Sequence, residues 1–258
     1  MGILNITPDS FYKASRIQTE DEVLQHTSKM IKEGVTILDI GGQSTRPGST
    51  RLSAVEESER VLPAIESIHK NFPEIFISVD TYYAAVAKQA VAAGASIIND
   101  ISGGTMDDDM LTTVGSLHVP YVCMHIQGKP ETMQVNPAYE NVTREVLDFF
   151  IHQTEKCRLQ NIIDVIIDPG FGFGKTAVHN FQLLKELPVF KMLEKPILAG
   201  LSRKATIYKT LNITAEESLN GTTVLNTIAL LNGANILRVH DVKEAVQAIE
   251  LLHTYFSV

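Results

Sequence analysis

GVTILD (34–39), GASIIN (94–99) and GANILR (233–238) are three copies of one phrase, and each copy closes on a different polar letter. In each, a glycine follows a helix-like segment, an apolar pair comes next, and a polar residue ends the phrase. Glycine there suits a left-handed helix stop. The apolar pair then opens a strand buried on both faces, as in parallel sheets. The phrase therefore reads as helix end, short loop, strand. Its last letter (Asp, Asn or Arg) is a working group carried at a strand end.

Outward from these copies, apolar runs alternate with amphipathic stretches along the whole chain. Strands are expected at GILN (2–5), TILDIGG (36–42), IFISVDT (75–81), SIINDIS (96–102), PYVCMH (120–125), DVIIDPG (164–170), PILAGLS (196–202) and NILRVH (235–240). Between them, Thr19 with Glu22, Ser53 with Glu56 and Thr214 with Glu217 fit capping boxes. One helix face carries Val23, Leu24, Thr27, Met30 and Ile31. The last helix carries Val242, Ala245, Val246, Ile249 and Leu252 after an Asp241 cap. Pro63 is expected to kink or split the second helix. Eight such units in 258 residues predict an α/β fold, a single-domain (β/α)8 TIM barrel over residues 1–258. The alternative is an open doubly wound sheet. The strand count favours the barrel, as does the spread of polar strand ends along the chain.

Net charge is −8 and 44% of residues are hydrophobic. The acidic balance argues against a nucleic-acid partner, which needs a basic face. No run has membrane-spanning length. Two cysteines without metal-ligand or C-x-x-C spacing suit a reduced, cytoplasmic protein, with Cys123 as inert packing. The chain opens directly on strand-like MGILN, so a preceding segment is expected to be missing.

Barrel strands bring their C-terminal ends to one face, where active sites lie. The polar residues there are Asn5, Asp39, Asp80, Asn99, His125, Asp168, Ser202, Arg203, Lys204, Arg238 and His240. Buried carboxylates and an amide need partners. Either basic side chains or a ligand rich in N–H donors would serve, and a carboxylate accepts bidentately from an adjacent ring N–H and amine. Arg46, Lys204, Arg238 and His240 around the same mouth point to an anionic ligand, with ion pairing to the acids as the other reading. GFGFGKT (170–176) is not a phosphate-binding loop of the Walker type, because Pro169 stands where the first glycine belongs. A tight turn projecting Asp168 is expected instead, with no ligand role for Lys175. His125 reads equally as a packed ring. The histidines show no zinc spacing.

In this order, MGILNITPDSF, DIGGQSTRPG, SVDT, IINDISGG, MH, IDPGFGFGKT, GLSRK and RVHDV closely resemble the dihydropteroate synthases of bacterial folate synthesis, over essentially the whole chain. The resemblance implies a TIM barrel, usually a homodimer. It also implies condensation of a dihydropterin methyl diphosphate with 4-aminobenzoate, assisted by Mg2+ and open to sulfonamide inhibitors. Carried over, the pterin pocket comprises Asp80, Asn99, Met124, Asp168, Phe173, Gly200 and Lys204. The diphosphate site comprises Asn5, Arg46, Arg238 and His240, with Asn5 near the metal. The aminobenzoate site comprises Phe11, Thr45, Pro47 and Ser202. Asp80, Lys204, Arg238 and His240 form the catalytic set. Asp39 receives no role beyond bracing the second loop. The first loop departs from the family, with Tyr12-Lys13-Ala14-Ser15 where Ser-Asp-Gly-Gly is common, so a stiffer loop carrying Lys13 in place of an acid is expected. Two rival readings remain: a corrinoid-linked methyltransferase on the same barrel, and a non-catalytic pterin binder.

Overall fold

The computed structural model describes residues 1–6, 16–43 and 51–258. Strands and helices alternate as β1 (Gly2–Asn5), α1 (Arg16–Lys32), β2 (Ile37–Gly41), α2 (Ala54–Asn71), β3 (Phe76–Asp80), α3 (Ala84–Ala92), β4 (Ile97–Asp100), α4 (Met110–Leu117), β5 (Tyr121–Met124), α5 (Val142–Leu159), β6 (Val165–Asp168), α6 (Ala177–Lys185), β7 (Leu198–Ala199), α7 (Ala205–Leu211), α8 (Leu219–Leu231), β8 (Ile236–Leu237) and α9 (Val242–Phe256). Every strand lies within a run expected from the sequence. Strands β1 to β6 form one parallel sheet and β7 pairs with β8. Bridges Ile167–Ile197 and Gly2–Val239 join the two into a closed barrel.

The repeated glycines do what the phrase requires. Gly34, Gly94 and Gly233 take φ of 92°, 118° and 103°, a region that side chains with a Cβ avoid.

Side chains two apart on a strand share a face. Ile97, Val122 and Leu198 form a buried cluster with Ile37, Ile166 and Ile236 against it. Two residues further along the same strands stand Asn99, Met124, Gly200, Asp39, Asp168 and Arg238. An apolar barrel floor thus lies directly beneath a layer of chemistry, and a strand's period of two separates them. The larger core packs between sheet and helices.

Local expectations met the structure unevenly. Ser53 and Glu56 form the expected capping box of α2. This helix continues through Pro63 without splitting. Thr214 and Glu217 exchange capping bonds of 2.9 and 3.4 Å, but around a turn that precedes α8. Helix α1 begins at Arg16, ahead of the expected cap at Thr19. Asp241 does not cap α9 with its side chain, because both carboxylate oxygens bind Arg203, at 2.9 and 2.8 Å. Ile249 is exposed and Ala248 takes the buried position expected of it.

Glu57 lies on the buried face of α2, beneath Gly42 where the second loop begins. Burial pushes its carboxyl up to about 8, with the Asp80 charge adding and the Thr81 hydroxyl opposing. A raised carboxyl keeps its proton in the fold and releases it on unfolding. Stability should therefore fall as pH climbs from the ordinary glutamate range toward 8. Glu57→Gln is expected to remove that slope and to gain roughly 1–3 kcal/mol at pH 8. Melting curves of both proteins from pH 5 to 9 check it, and parallel curves would refute it.

Candidate active site

Strand register sets the geometry of the mouth. Asn5 pairs with Gly41, Gly41 with Asp80 and Asp80 with Asn99, so the ends of β1 to β4 stand in one row. Met124 pairs with Asp168 across β5 and β6.

At the centre is Asp39, fully buried. It accepts from Arg238 Nε at 2.6 Å, from Ser78 Oγ at 2.6 Å and from Asn99 Nδ2 at 3.0 Å. Arg238 also donates through Nη2 to Asp80 at 2.6 Å. The ion-pair reading of Arg238 is therefore realised: the guanidinium ties β8 to β2 and β3. Among the described residues, two of its five N–H groups are committed in this way. Burial raises the Asp80 carboxyl, Arg238 lowers it, and Asp39, Asp100 and Asp168 add like-charge repulsion. Asp39 is thus a hub that holds Asn99 of the expected pterin site and Arg238 of the expected diphosphate site. Its position two residues beyond the floor residue Ile37 was the available signal, since it marks an inward-facing carboxylate.

Asp168, at the end of β6, is buried, and Oδ1 accepts from the Gly170 N–H at 2.8 Å. Its carboxyl is raised by burial, with Lys204 the first charge opposing that shift. Lys204 Nζ donates to the Phe171 carbonyl and lies 4.8 Å from the centre of the Phe173 ring. Burial brings Lys204 down to about 8, against the pull of Asp168. Phe173 and Met124 belong to one apolar cluster with Tyr82, Ile101 and Met133. A Cβ on Gly200 would stand 3.6 Å from Lys204 Nζ and 3.9 Å from Arg238 Cβ, so the glycine keeps open a space between the two cations.

At the rim, Ser202 Oγ and His240 Nδ1 lie 3.0 Å apart, and Ser202 Oγ accepts from the His240 N–H at 3.2 Å. Asn5 is exposed at the end of β1. Phe11, Thr45, Arg46 and Pro47, with the unusual 12–15 segment, lie outside the described residues. Asp100, which the sequence reading left out, is fully buried and accepts from the Ser102 N–H and hydroxyl, the Gly104 N–H and the Tyr121 hydroxyl, each at 2.7 Å. Four donors on one carboxylate mark a brace for the loop after β4.

The arrangement can hold a flat, N–H-rich ring between acceptors (Asp80, Asp168) and an apolar wall (Met124, Phe173). Lys204, against the Phe173 ring, and Arg238, bonded to Asp80, add cations to the same layer. The fold is a (β/α)8 barrel whose layer of strand ends has the acceptors and apolar wall that suit a polar heteroaromatic ligand.

The comparisons agree. Residues 1–240 match the family described as pterin binding enzyme. The dihydropteroate synthase of Escherichia coli (strain K12) is 42% identical over 259 residues, covering 100% of this chain and 91% of that protein. Yersinia pestis dihydropteroate synthase in a sulfonamide drug complex superposes with a TM-score of 0.94 at 40% identity, covering 100% of this chain and 94% of the other. Xanthomonas albilineans dihydropteroate synthase with 4-aminobenzoic acid gives 0.92 at 38% identity, covering 100% and 93%. The chain belongs to the pterin-binding enzyme family, among its dihydropteroate synthases.

Proposed function

We propose that the chain condenses 6-hydroxymethyl-7,8-dihydropterin diphosphate with 4-aminobenzoate to give 7,8-dihydropteroate and diphosphate, as a transferase of folate synthesis. The observation that carries this reading is one layer of strand ends holding Asp80, Asn99 and Asp168 beside Lys204 and Arg238. The pterin would lie against Met124, Phe173 and Gly200. Asp168 would accept from its ring N–H and amino pair, and Lys204 would reach the carbonyl side. Asn5, Arg46, Arg238 and His240 would hold the diphosphate. Phe11, Thr45, Pro47 and Ser202 would hold the aminobenzoate, and sulfonamides would compete there.

The reaction needs little proton chemistry. An aromatic amine is neutral near pH 7, so its attack requires no strong base. The slow event is departure of diphosphate from a carbon attached to an electron-rich ring. Asp80 and Asp168 favour the cation left behind, and Arg238 with His240 favours the departing anion. Substitution is therefore S_N1-like, which accounts for the lack of a nucleophile triad among the described residues.

Among the described residues, no cluster of three His, Cys, Asp or Glu could hold a metal. Mg2+ keeps several waters and binds chiefly through substrate phosphates with one or two protein oxygens. The Asn5 carboxamide at the mouth fits that donor set, and the ion would neutralise charge on the leaving group.

The test is direct: incubate the protein with the pterin diphosphate, Mg2+ and 4-aminobenzoate, and follow diphosphate release. Pterin binding without release would return the chain to the non-catalytic reading.

A second copy of the chain is the partner we infer for the apolar stripe of α8. Val224, Ile228 and Leu231 are 50%, 37% and 49% exposed at helical spacing, and Ile249 and Phe256 of α9 are 45% and 69% exposed. Helices α8 and α9 pack side by side. Ile228→Glu is expected to convert a homodimer to monomer in sedimentation, whereas a wild-type monomer would refute the interface. No helix among the described residues is long and apolar enough to cross a membrane. Both cysteines are buried and free, which supports a cytoplasmic location.

A further inference from the structure

The turn after β6 has a side-chain donor at each carbonyl from Gly170 to Gly174. Lys175 Nζ serves Gly170 at 3.0 Å and Phe173 at 3.1 Å, and Lys204 serves Phe171. Gln134 Nε2 serves Gly172 at 2.5 Å, and the Tyr139 hydroxyl serves Gly174 at 2.9 Å. Lys175 is the only one of these donors seated inside the turn, and it is 3% exposed. Its remaining N–H goes to His125 Nδ1 at 2.9 Å, with the His125 carbonyl at 3.5 Å.

All of these contacts of Lys175 are neutral acceptors. For His125 to be one, its ring must be unprotonated. Burial and the Lys175 charge hold it far below the usual histidine range. Phe149 meets the ring edge-on at 5.0 Å and Tyr139 flanks it at 6.3 Å. Burial likewise draws Lys175 down to about 7, while Asp168 pulls it up and Lys204 pushes it down. The cage also reaches the chemistry through Gly170, whose N–H binds Asp168 and whose carbonyl binds Lys175. At Gly170, φ is 69° and a Cβ would lie 1.9 Å from the His125 carbonyl oxygen, so no other residue fits there. The charges around Asp168 are Lys204, Arg238 and Lys175, with Asp80 as the like-charged neighbour. Lys175 is thus one of three cations that oppose the rise burial imposes on the Asp168 carboxyl.

We propose that Lys175 and His125 are a positioning pair for the pterin pocket: Lys175 Nζ, seated on His125 Nδ1, shapes the turn that presents Phe173 and, through Gly170, orients Asp168 as an acceptor. This rests on the pterin reading of the site. Neither residue touches the substrate; both act through Asp168 and the turn.

The test titrates wild type, Lys175→Met, His125→Leu and His125→Asn with the pterin diphosphate and Mg2+ by calorimetry from pH 6 to 9. The KM for 4-aminobenzoate is measured beside it. Lys175→Met is expected to weaken pterin binding roughly tenfold or more at pH 7. The loss should shrink as pH rises, because Asp168 must first shed a proton, and the aminobenzoate KM should stay within about threefold. His125→Asn puts an amide oxygen where Nδ1 stood and is expected to bind like wild type, whereas His125→Leu should follow Lys175→Met. A Lys175→Met loss equal at every pH and for both substrates would overturn the pair. So would a His125→Asn protein as damaged as His125→Leu, a comparison that decides alone if Lys175→Met does not fold. Wild type failing to bind the pterin would instead sink the functional reading.

Discussion

Arg238→Ala is expected to abolish most turnover, lowering kcat/KM by roughly 100-fold or more, and to destabilise the fold as well. Arg238 carries both effects because it is the tie between Asp39 and Asp80, at 2.6 Å to each. Removing one partner of a buried ion pair typically costs about 3–5 kcal/mol, since the other charge is left uncompensated. Here two carboxylates lose their counter-ion together. The pH dependence has a definite sign. Burial already raises Asp80 and Arg238 opposes that rise. Without Arg238 the carboxyl rises further, the folded state binds a proton the unfolded state does not, and the variant regains stability as pH falls. Adding Asp80→Asn should recover part of the stability at pH 7, with Asp39 still unpaired, without recovering turnover, because the amide needs no counter-ion but supplies no cation for the diphosphate. Urea midpoints at pH 5.5 and 7.5, beside diphosphate release, separate the two effects. Intact turnover in Arg238→Ala would remove it from the anion site.

How much of this was legible follows from what each residue depends on. The strands were readable because a barrel strand is buried on both faces, which forces a short apolar run and a polar end. The repeated phrase marked the helix stops because positive φ at Gly34, Gly94 and Gly233 leaves few other residues possible. Pairings were not readable. Arg238 finds Asp39 across 199 positions of sequence, and Arg203 takes the carboxylate of Asp241 that local rules assign to a helix cap. Tertiary geometry decided both: Arg238 reaches two carboxylates across the barrel mouth, and the partly buried Arg203 guanidinium takes both oxygens of Asp241 in a bidentate pair. Asp39 was underrated for the same reason, because its value lies in three partners from three other strands or strand ends. For Lys175 the sequence suggested no ligand role, and no periodicity could reveal that the turn wraps around its ammonium.

Asp168→Asn should separate binding from chemistry more cleanly. Oδ1 accepts from the Gly170 N–H at 2.8 Å, and an asparagine keeps that bond by turning its carbonyl there. Its NH2 then replaces the second carboxylate oxygen and faces the ring N–H and amine, donor against donor. A hydrogen bond to a charged group is worth about 1.5–3 kcal/mol, and an unsatisfied buried donor adds to the loss. The KM for the pterin diphosphate is thus expected to rise roughly 100-fold, with kcat falling less and the aminobenzoate KM little changed. Lys204 supplies an independent signature. Asp168 raises Lys204 against the burial that brings it down to about 8. Losing that carboxylate lets Lys204 fall further, so the ammonium is lost nearer neutrality. Residual pterin binding by Asp168→Asn should therefore weaken as pH rises from 6 to 8.5. Lys175→Met should show the opposite trend, since there the acid itself must ionise. Pterin KM values for both variants across that range decide between a carboxylate that recognises the pterin directly and one that only braces the turn. A pterin KM within threefold of wild type for Asp168→Asn, at every pH, would leave only the brace.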